Sequence, residues 1–507
     1  MTIAMLQSRA LAGMRAPSIT VEVHLANGLP SFTLVGLPEA EVRESRERVR
    51  AALQTCGFEF PARRITVNLA PADLPKESGR YDLPIALGLL AASGQIPLSS
   101  LENYEFAGEL SLNGQLRPIR GVLAMTHALA QQNNPAARFI LPSACAAEAA
   151  LVPGVHIFAA PDLLSVCAHL NGTAPLPIQP PQAVTDKHSP MLDLADIRGQ
   201  AGARRALEIT AAGQHSTLFI GPPGAGKSML ATRLPSILPP MSEIEALESA
   251  ALLSLSSQGF KTENWRQRPF RAPHHSASMV ALIGGGSVPR PGEISLAHHG
   301  VLFLDEFPEF SRIALEALRE PLQSGHVAIS RSAQQIEFPA RFQLLAAMNP
   351  CPCGYFGHPI KECTCTPRMI NRYQSRLSGP LLDRIDMRVL IPSLSAEEML
   401  SAPTSETSAS IALRVANARK RQLNRQNKSN QYLQGTELER ICTIHTEGKA
   451  LLQQAQARLH YSARALHRIL RLARTIADLA DSNDIELPHL AEAIQYQRAL
   501  PSSHINT

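Results

Sequence analysis

Charge is scarce in this chain. Of its 507 residues only 18% are Asp, Glu, Lys or Arg, against roughly 25% in an average soluble protein. Basic residues (48) exceed acidic ones (43) by +5, and the isoelectric point is near 8.8. That excludes the charge density of a histone-like or ribosomal protein. Long apolar runs are missing as well. The nearest approach to the roughly 18 residues of a membrane span is LPIALGLLAASGQIPL (83–98), which Ser, Gly and Gln interrupt. No membrane partner is expected. Cysteine is sparse, 8 residues spread over the whole length, which excludes a disulfide scaffold. The start, MTIAMLQSRALAGMRAPSIT, lacks a clean apolar core because Arg9 and Arg15 break it. Its acid-free composition has a transit-peptide character, yet it runs into a strand pattern without a break. The expected location is cytoplasmic, where clustered cysteines point to metal more than to disulfides. Hydrophobic residues reach 45%, enough for large cores and against a disordered chain. The length suits about three domains.

No repeat of fixed period is present. A proline-rich stretch, TAPLPIQPPQAVTDKHSP, reads as an extended linker at 173–190. Before it, 1–172 alternates strand-like and helix-like runs. ITVEVHLA (19–26) and SFTLVGL (31–37) read as strands around the turn NGLP. EAEVRESRERVRAALQTCG (39–57) reads as an amphipathic helix, and YEFAGELSLNGQLRPI as a hairpin turning at Asn113-Gly114. After the linker, TLFI (217–220), GVLFLDE (300–306) and FQLLAAMNP (342–350) read as strands. HVAISRSAQQIEFPARF (326–342) looks like a hairpin. Beyond about 395 the pattern is helical, strongest at 462–481.

GPPGAGKS (221–228) satisfies G-x-x-x-x-G-K-[S/T] at every position, after an apolar strand and before a helix. Gly221, Pro222, Pro223, Gly224, Ala225 and Gly226 would turn backbone N–H groups towards phosphate oxygens. Lys227 would reach the β- and γ-phosphates and Ser228 a Mg²⁺ ion. The strand VLFL then ends in two carboxylates. Asp305 would sit near Mg²⁺, and Glu306 would polarise the attacking water. Asn349, ending the next apolar strand, would orient that water or the γ-phosphate; the alternative is a turn residue before Pro350. Arg384 and Arg464 are candidates for stabilising transition-state charge, though each alone reads as an ordinary surface arginine.

Cys351, Cys353, Cys363 and Cys365 form C-x-C-x₉-C-x-C. Four thiolates complete a closed, structural Zn²⁺ site. The alternatives are free thiols or a redox pair, and the C-x-C spacing is tighter than the usual zinc pattern. Basic runs at 414–431 and at Arg464, Arg468, Arg471 and Arg474 each read as solvated helix surface. His274 and His275 read as packing or loop residues, since no acidic pair has metal-ligand spacing.

The order of these parts resembles the AAA+ ATPases of the magnesium-chelatase/MCM-like branch. RPFRAPHHSAS (268–278), PGEISLAHHGVLFLDEFPEF (291–310), MNPCPCGYFG (348–357), RYQSRLSGPLLDRIDMRV (372–389) and SARALHRILRLARTIADL (462–479) resemble the ComM/YifB family, essentially end to end. The resemblance implies an α/β fold: a P-loop AAA+ core with a parallel sheet at 191–394, carrying the zinc knuckle 351–365, and a C-terminal helical lid at 395–507. It gives Asn349 the sensor-1 place, Arg384 the arginine-finger place on a neighbour's ATP, and Arg464 the sensor-2 place. Gln200, in IRGQ, falls in the segment that flanks the adenine. The cofactors implied are ATP, Mg²⁺ and structural Zn²⁺. The activity implied is that of a hexameric, ATP-driven helicase promoting branch migration in natural transformation, on single-stranded and branched DNA without sequence preference. In ring motors of this branch a hairpin before sensor 1 points into the pore, which would bring Arg331 to DNA phosphates. The stretch 271–293, with Gly284, Gly285 and Gly286, looks like the branch's inserted hairpin.

The N-terminal 1–172 resembles the α+β Lon-protease fold. Its 70–90 and 107–125 segments look like those carrying Lon's serine and lysine, but Asp82 and Met125 stand at those places. Neither can replace a Ser–Lys pair, so this domain is expected to be proteolytically inactive. Reinstating Ser78 and Lys76 would need a different local backbone. Rival readings are a magnesium-chelatase-type or chaperone-like ATPase acting on a protein partner, an ATP-dependent protease, and a scaffold that binds ATP without turnover.

Overall fold

The computed structural model describes residues 2–74, 76–132, 134, 136–181, 192–256, 258–286, 289–331, 334–395, 397–398, 405–459 and 462–497. The chain forms two units: Met1–Lys187 with Glu243–Trp265, and His188–Ser242 with Arg266–Thr507.

The first unit is built on nine strands: β1 (Thr2–Arg9), β2 (Ser18–Ala26), β3 (Ser31–Val35), β4 (Arg64–Ala70), β5 (Glu105–Phe106), β6 (Glu109–Leu110), β7 (Leu116–Arg117), β8 (Arg138–Pro142) and β9 (His156–Ala160). Seven make one mixed sheet in the order β3-β4-β2-β1-β5-β8-β9. Period-two patterning sets its faces: Ile19, Val21, Val23 and Leu25 point into the core, as do Ile65, Val67 and Leu69. The strands flanking NGLP are not neighbours. β4 lies between them, antiparallel to β2 and parallel to β3. The reason is burial: alternating β4 belongs in the sheet interior, whereas β3 has no fully buried position and suits an edge. The hairpin at Asn113-Gly114 joins β6 and β7 as a separate two-stranded ribbon. Helix Asp82–Ala92 is buried on all sides. Gly88 permits its close approach to the sheet, since a Cβ there would lie 2.5 Å from Val23 Cγ2.

Asp82 accepts from Ser45 Oγ, Arg48 Nε (2.7 Å) and the Leu110 amide (3.2 Å). Burial pushes its carboxyl up, and these partners oppose the shift. Met125 is buried against Arg80, whose Nη1 lies 3.8 Å from its Sδ. Ser78 Oγ accepts from Arg80 Nε, and Lys76 Nζ donates to the Pro71 carbonyl. All four side chains thus serve packing and local hydrogen bonding. The segment Glu243–Trp265 lies inside the stretch expected as AAA+ core, yet it packs in this first unit. Gly121, at φ +73, donates its N–H to the Ser254 carbonyl at 3.3 Å and faces Leu255. Part of the expected linker is also structured: the Gln179 amide reaches Ile157 O at 2.8 Å and Leu176 is buried. Residues 182–190 lie outside the described residues.

The second unit carries a five-stranded, all-parallel sheet from β10 (Thr217–Ile220), β11 (Phe270–Arg271), β14 (Val301–Leu304), β17 (Gln343–Met348) and β18 (Met387–Leu390), ordered β11-β14-β17-β10-β18. Strands β10, β14 and β17 are buried at every residue, as parallel strands covered on both faces must be. Two hairpins project from this frame: β12 (Gly284–Gly285) with β13 (Arg290–Pro291), and β15 (His326–Arg331) with β16 (Gln334–Pro339). Helices Ser408–Gln426, Thr446–Leu459, Ala463–Leu479 and Leu487–Gln495 form the C-terminal layer, and their apolar faces join the core of the parallel sheet.

Several arginines of these basic runs are structural. Arg419 donates to the Ala211 and Ala212 carbonyls that end helix Ala201–Gly213. Arg425 clamps Asp478, and Arg474 caps Ser482 and Asn483. Arg468 and Arg474 are buried, which corrects the reading of a solvated surface.

Arg9 ends a central strand and is 2% exposed. It pairs with Glu105 through Nε–Oε2 (2.7 Å) and Nη2–Oε1 (2.9 Å), and its Nη1 reaches Ala16 O. Removing one partner of a buried pair leaves the other charge uncompensated, which costs about 3–5 kcal/mol. Glu105→Ala is expected to destabilise the N-terminal unit on that scale, read as a fall in its urea midpoint.

Candidate nucleotide site and four-cysteine knuckle

The site gathers at the carboxyl ends of three adjacent strands, β14, β17 and β10, where open parallel sheets bind ligands. After β10 the chain turns through 221–226, with Gly224 at φ +77 and Gly226 at φ +86. Gly221 must be glycine for a different reason: a Cβ would lie 2.3 Å from the Ile391 carbonyl beyond β18. The loop opens helix Lys227–Ala231.

Lys227 is 9% exposed. Its Nζ donates to Gly221 O (2.8 Å), Pro222 O (2.9 Å) and Asn349 Oδ1 (3.0 Å). All three acceptors are neutral oxygens. Burial pulls the ammonium below its usual range, opposed by Asp305. A buried cation ringed by loop amides and carbonyls is a site that an anion would complete. Ser228 Oγ donates to Asp305 Oδ2 at 2.5 Å. This hydroxyl and carboxylate are hard oxygen ligands of the kind Mg²⁺ takes. Asp305 Oδ1 accepts from the Glu306 amide at 2.9 Å. Glu306 has left-handed backbone (φ 51°, ψ 44°) and an exposed side chain. Gln200 is left-handed too, at φ 50°, and its amide reaches Pro392 O (2.8 Å) and Ala225 O (3.4 Å) beside the loop.

The two arginines are elsewhere. Arg384 bonds Pro380 O and Gln323. With Arg464, Arg468, Arg471 and Lys428 it lines a cavity of about 580 Å³ that no residue of 221–228, nor Asp305, Glu306 or Asn349, lines. Burial, then the charges of Arg319 and Arg464, lower the Arg384 pKa, opposed by Asp383 and Glu316. Asp383 and Asp386 also line the cavity, paired with Arg468 and Arg471. Arg331 ends β15 opposite Gln334; the hairpin tip, 332–333, lies outside the described residues.

Directly after Asn349 the chain enters the cysteine knuckle. Sγ atoms of Cys351, Cys353 and Cys363 lie 3.3–3.6 Å apart, and all four sulfurs fall within 4.8 Å of one another. A tetrahedral ion with bonds of about 2.3 Å has ligand–ligand edges of about 3.8 Å, so this donor set fits Zn²⁺. Desolvation opposes ionisation of Cys353, but hydrogen bonds from the Tyr355 and Thr364 amides and from Cys351 and Cys365 hold it down to about 6. At Cys363 desolvation and the neighbouring sulfurs push the thiol up to about 12.

One residue of this region carried no functional reading in the sequence. His275 Nδ1 lies 2.8 Å from Glu306 Oε2, while its neighbour His274, whose ring is tilted against it, bonds Ser276. A histidine pair following a short strand before an acidic strand end was the available signal.

Known proteins share this layout. The family described as magnesium chelatase, subunit ChlI, matches residues 193–399. Two companion families match as well, subunit ChlI of Mg-chelatase over 21–145 and its C-terminal part over 405–497. The competence protein ComM of Haemophilus influenzae is 51% identical over 98% of each chain. The chain belongs to the ComM/YifB family of magnesium-chelatase-like AAA+ proteins. YifB of Salmonella typhimurium is 50% identical, over 98% of this chain and 97% of its own. The DNA replication licensing factor mcm7 of Schizosaccharomyces pombe is 25% identical, over 43% of this chain and 30% of its own. Among the described residues no helix is long and apolar enough to cross a membrane.

In this ComM/YifB protein the knuckle also touches the P-loop. A Cβ on Gly354, at φ +87, would meet Pro223 Cδ at 2.5 Å. Gly354→Ala should therefore displace Pro223 and raise the Kd for ATP about tenfold, a loss of about 1.4 kcal/mol, measurable by titration with a fluorescent ATP analogue.

Proposed function

We propose that this protein is an ATP-hydrolysing ring motor, a hexamer that moves on single-stranded and branched DNA and promotes branch migration. The observation that carries the reading is the convergence at three strand ends of Lys227 with Asn349 and of Ser228 with Asp305. Bound ATP would place its β- and γ-phosphates on Lys227 and the 221–226 amides, with Mg²⁺ supplying charge neutralisation between Ser228 and Asp305. Glu306 accepts a proton from the attacking water, and Asn349 orients the γ-phosphate. Gln200 flanks the base.

Arg384 acts as the arginine finger on the ATP of a neighbouring subunit, and Arg464 takes the sensor-2 role. That Arg384 lines a cavity apart from the P-loop supports its acting on a neighbour's nucleotide. The cysteine knuckle holds structural Zn²⁺ and braces the loop bearing Asn349. The DNA reading draws on the relatives' names, one a competence protein and one a DNA replication licensing factor. Contacts through Arg331 and the β12–β13 hairpin would be to phosphates, hence independent of sequence and weakened by salt. The buried Asp82 and Met125 support a non-proteolytic N-terminal unit.

Turnover of ATP should rise with single-stranded or four-way-junction DNA. Glu306→Gln should lower kcat by about 100-fold or more, and Arg384→Ala should lower turnover without weakening ATP binding. Turnover indifferent to every DNA, under conditions where Glu306→Gln is inactive, would favour a protein-directed chelatase-like or chaperone-like ATPase instead. Elemental analysis should find zinc stoichiometric with the chain, lost in Cys363→Ser; a metal-free, fully folded wild type would contradict the zinc assignment.

A further inference from the structure

Arg384 is the arginine finger of the proposed reaction, and its aim depends on few contacts. Its Nη1 donates to Pro380 O at 2.7 Å and its Nη2 to Gln323 Oε1, while Nε is buried without an acceptor. Pro380 lies in helix Gly379–Leu382, which leads straight into Arg384, so that bond travels with the arginine. Gln323 is the acceptor contributed by another element, helix Pro321–Ser324. With an acceptor on each η nitrogen the guanidinium plane is fixed, and each nitrogen keeps a second N–H for a phosphate oxygen. Gln323 and Arg384 together line two cavities, of about 580 and 640 Å³. The guanidinium therefore has open space beside it, and packing alone does not set its direction.

Both acceptors are neutral. Among the described residues no carboxylate bonds Arg384, although Asp383 and Glu316 stand close enough to oppose the fall in its pKa. Each of those acids is engaged elsewhere. Asp383 lies 3.5 Å from Arg468, and Glu316 accepts from Arg319 at 2.6 Å and from Ser378. A guanidinium held by carbonyl and amide oxygens keeps its charge for a developing anion. One held in an ion pair would first have to leave its partner. Gln323 also has a firm seat. The next residue, Ser324, donates its hydroxyl to Glu320 O (3.0 Å) and accepts from His326 N (3.1 Å). Gly325 O then accepts from Ala340 N (2.7 Å) at the base of the β15–β16 hairpin.

We infer that Gln323 is a positioning residue for Arg384: its amide oxygen sets the direction of the finger and leaves the charge intact. This rests on the finger reading above and adds the residue through which the finger is aimed. Gln323 is exposed, and a single exposed hydrogen bond is a modest hold. Its loss lets the guanidinium sample other directions without removing it from the site, so the reaction slows and does not stop.

Two measurements on the full-length protein test it. In steady-state hydrolysis, Gln323→Ala should lower kcat about five-fold with the KM for ATP unchanged. In an Arg384→Ala background the same change should have no further effect, because a positioning residue acts only through the group it positions. Gln323→Glu should hold the guanidinium but neutralise it, so kcat should fall at least as far as in Gln323→Ala. A wild-type kcat in either single variant, or a full additional loss on top of Arg384→Ala, would overturn the assignment. The second measurement needs no turnover: phenylglyoxal labelling read peptide by peptide, with the exposed Arg372 as internal reference. Arg384 should be labelled several-fold faster in Gln323→Ala than in the wild type, and no faster in Gln323→Glu; failure of either would overturn the contact. If Arg384→Ala turns over ATP at the wild-type rate, the finger reading fails. The positioning contact then stands or falls on the labelling.

Discussion

A buried ammonium with only neutral partners is the constraint around which the second unit is organised. Lys227 is held by two loop carbonyls and the Asn349 amide oxygen. That arrangement exists only if β10 and β17 are adjacent and parallel, with the loop folded back over its own strand. Gly221 must lie against Ile391 O, which requires β18 on the far side of β10. Asn349 must be fixed, and the chain that follows it is locked by a four-thiol cluster whose Gly354 rests on Pro223. The sheet order and the knuckle thus meet the same demand. They hold a desolvated ammonium on three neutral oxygens, where an unpaired buried charge is otherwise costly.

The parts legible in the sequence were those with a local physical signature. The loop 221–228 needs glycines at fixed intervals, and a buried parallel strand ending in carboxylates stands out by composition. Four closely spaced cysteines also stand out. Hairpins were legible for a similar reason, since two alternating runs around a short turn have few other ways to pair. What escaped was set by contacts distant in sequence. Strand β4 entered between β2 and β3 because of burial that no local turn encodes. The arginines of the C-terminal helices looked like solvated charge, because their acceptors are carbonyls and carboxylates far away in the chain. His275 escaped for the same reason: Glu306 is 31 residues on, and nothing in a loop histidine announces its partner.

The chain solves its charge problems differently in its two units. In the N-terminal unit, Arg9 with Glu105 and Arg48 with Asp82 are complete pairs within the fold. In the second unit the P-loop ammonium of Lys227 has only neutral oxygen partners. The first pattern suits a rigid part and the second a part that changes state as nucleotide comes and goes.

The helix Glu243–Leu255 has a consequence for how the protein is made. It is coded after the P-loop, yet it completes the unit that is coded first. On the ribosome, strands β1–β9 emerge early but must wait for a segment some 80 residues beyond β9 before the face at Gly121 and Leu11 is covered. Non-local closure of this kind is slow and leaves apolar surface open meanwhile. It also means that the proline-rich stretch is a poor place to cut. A fragment ending there would carry its whole sheet and still lack one of its own helices.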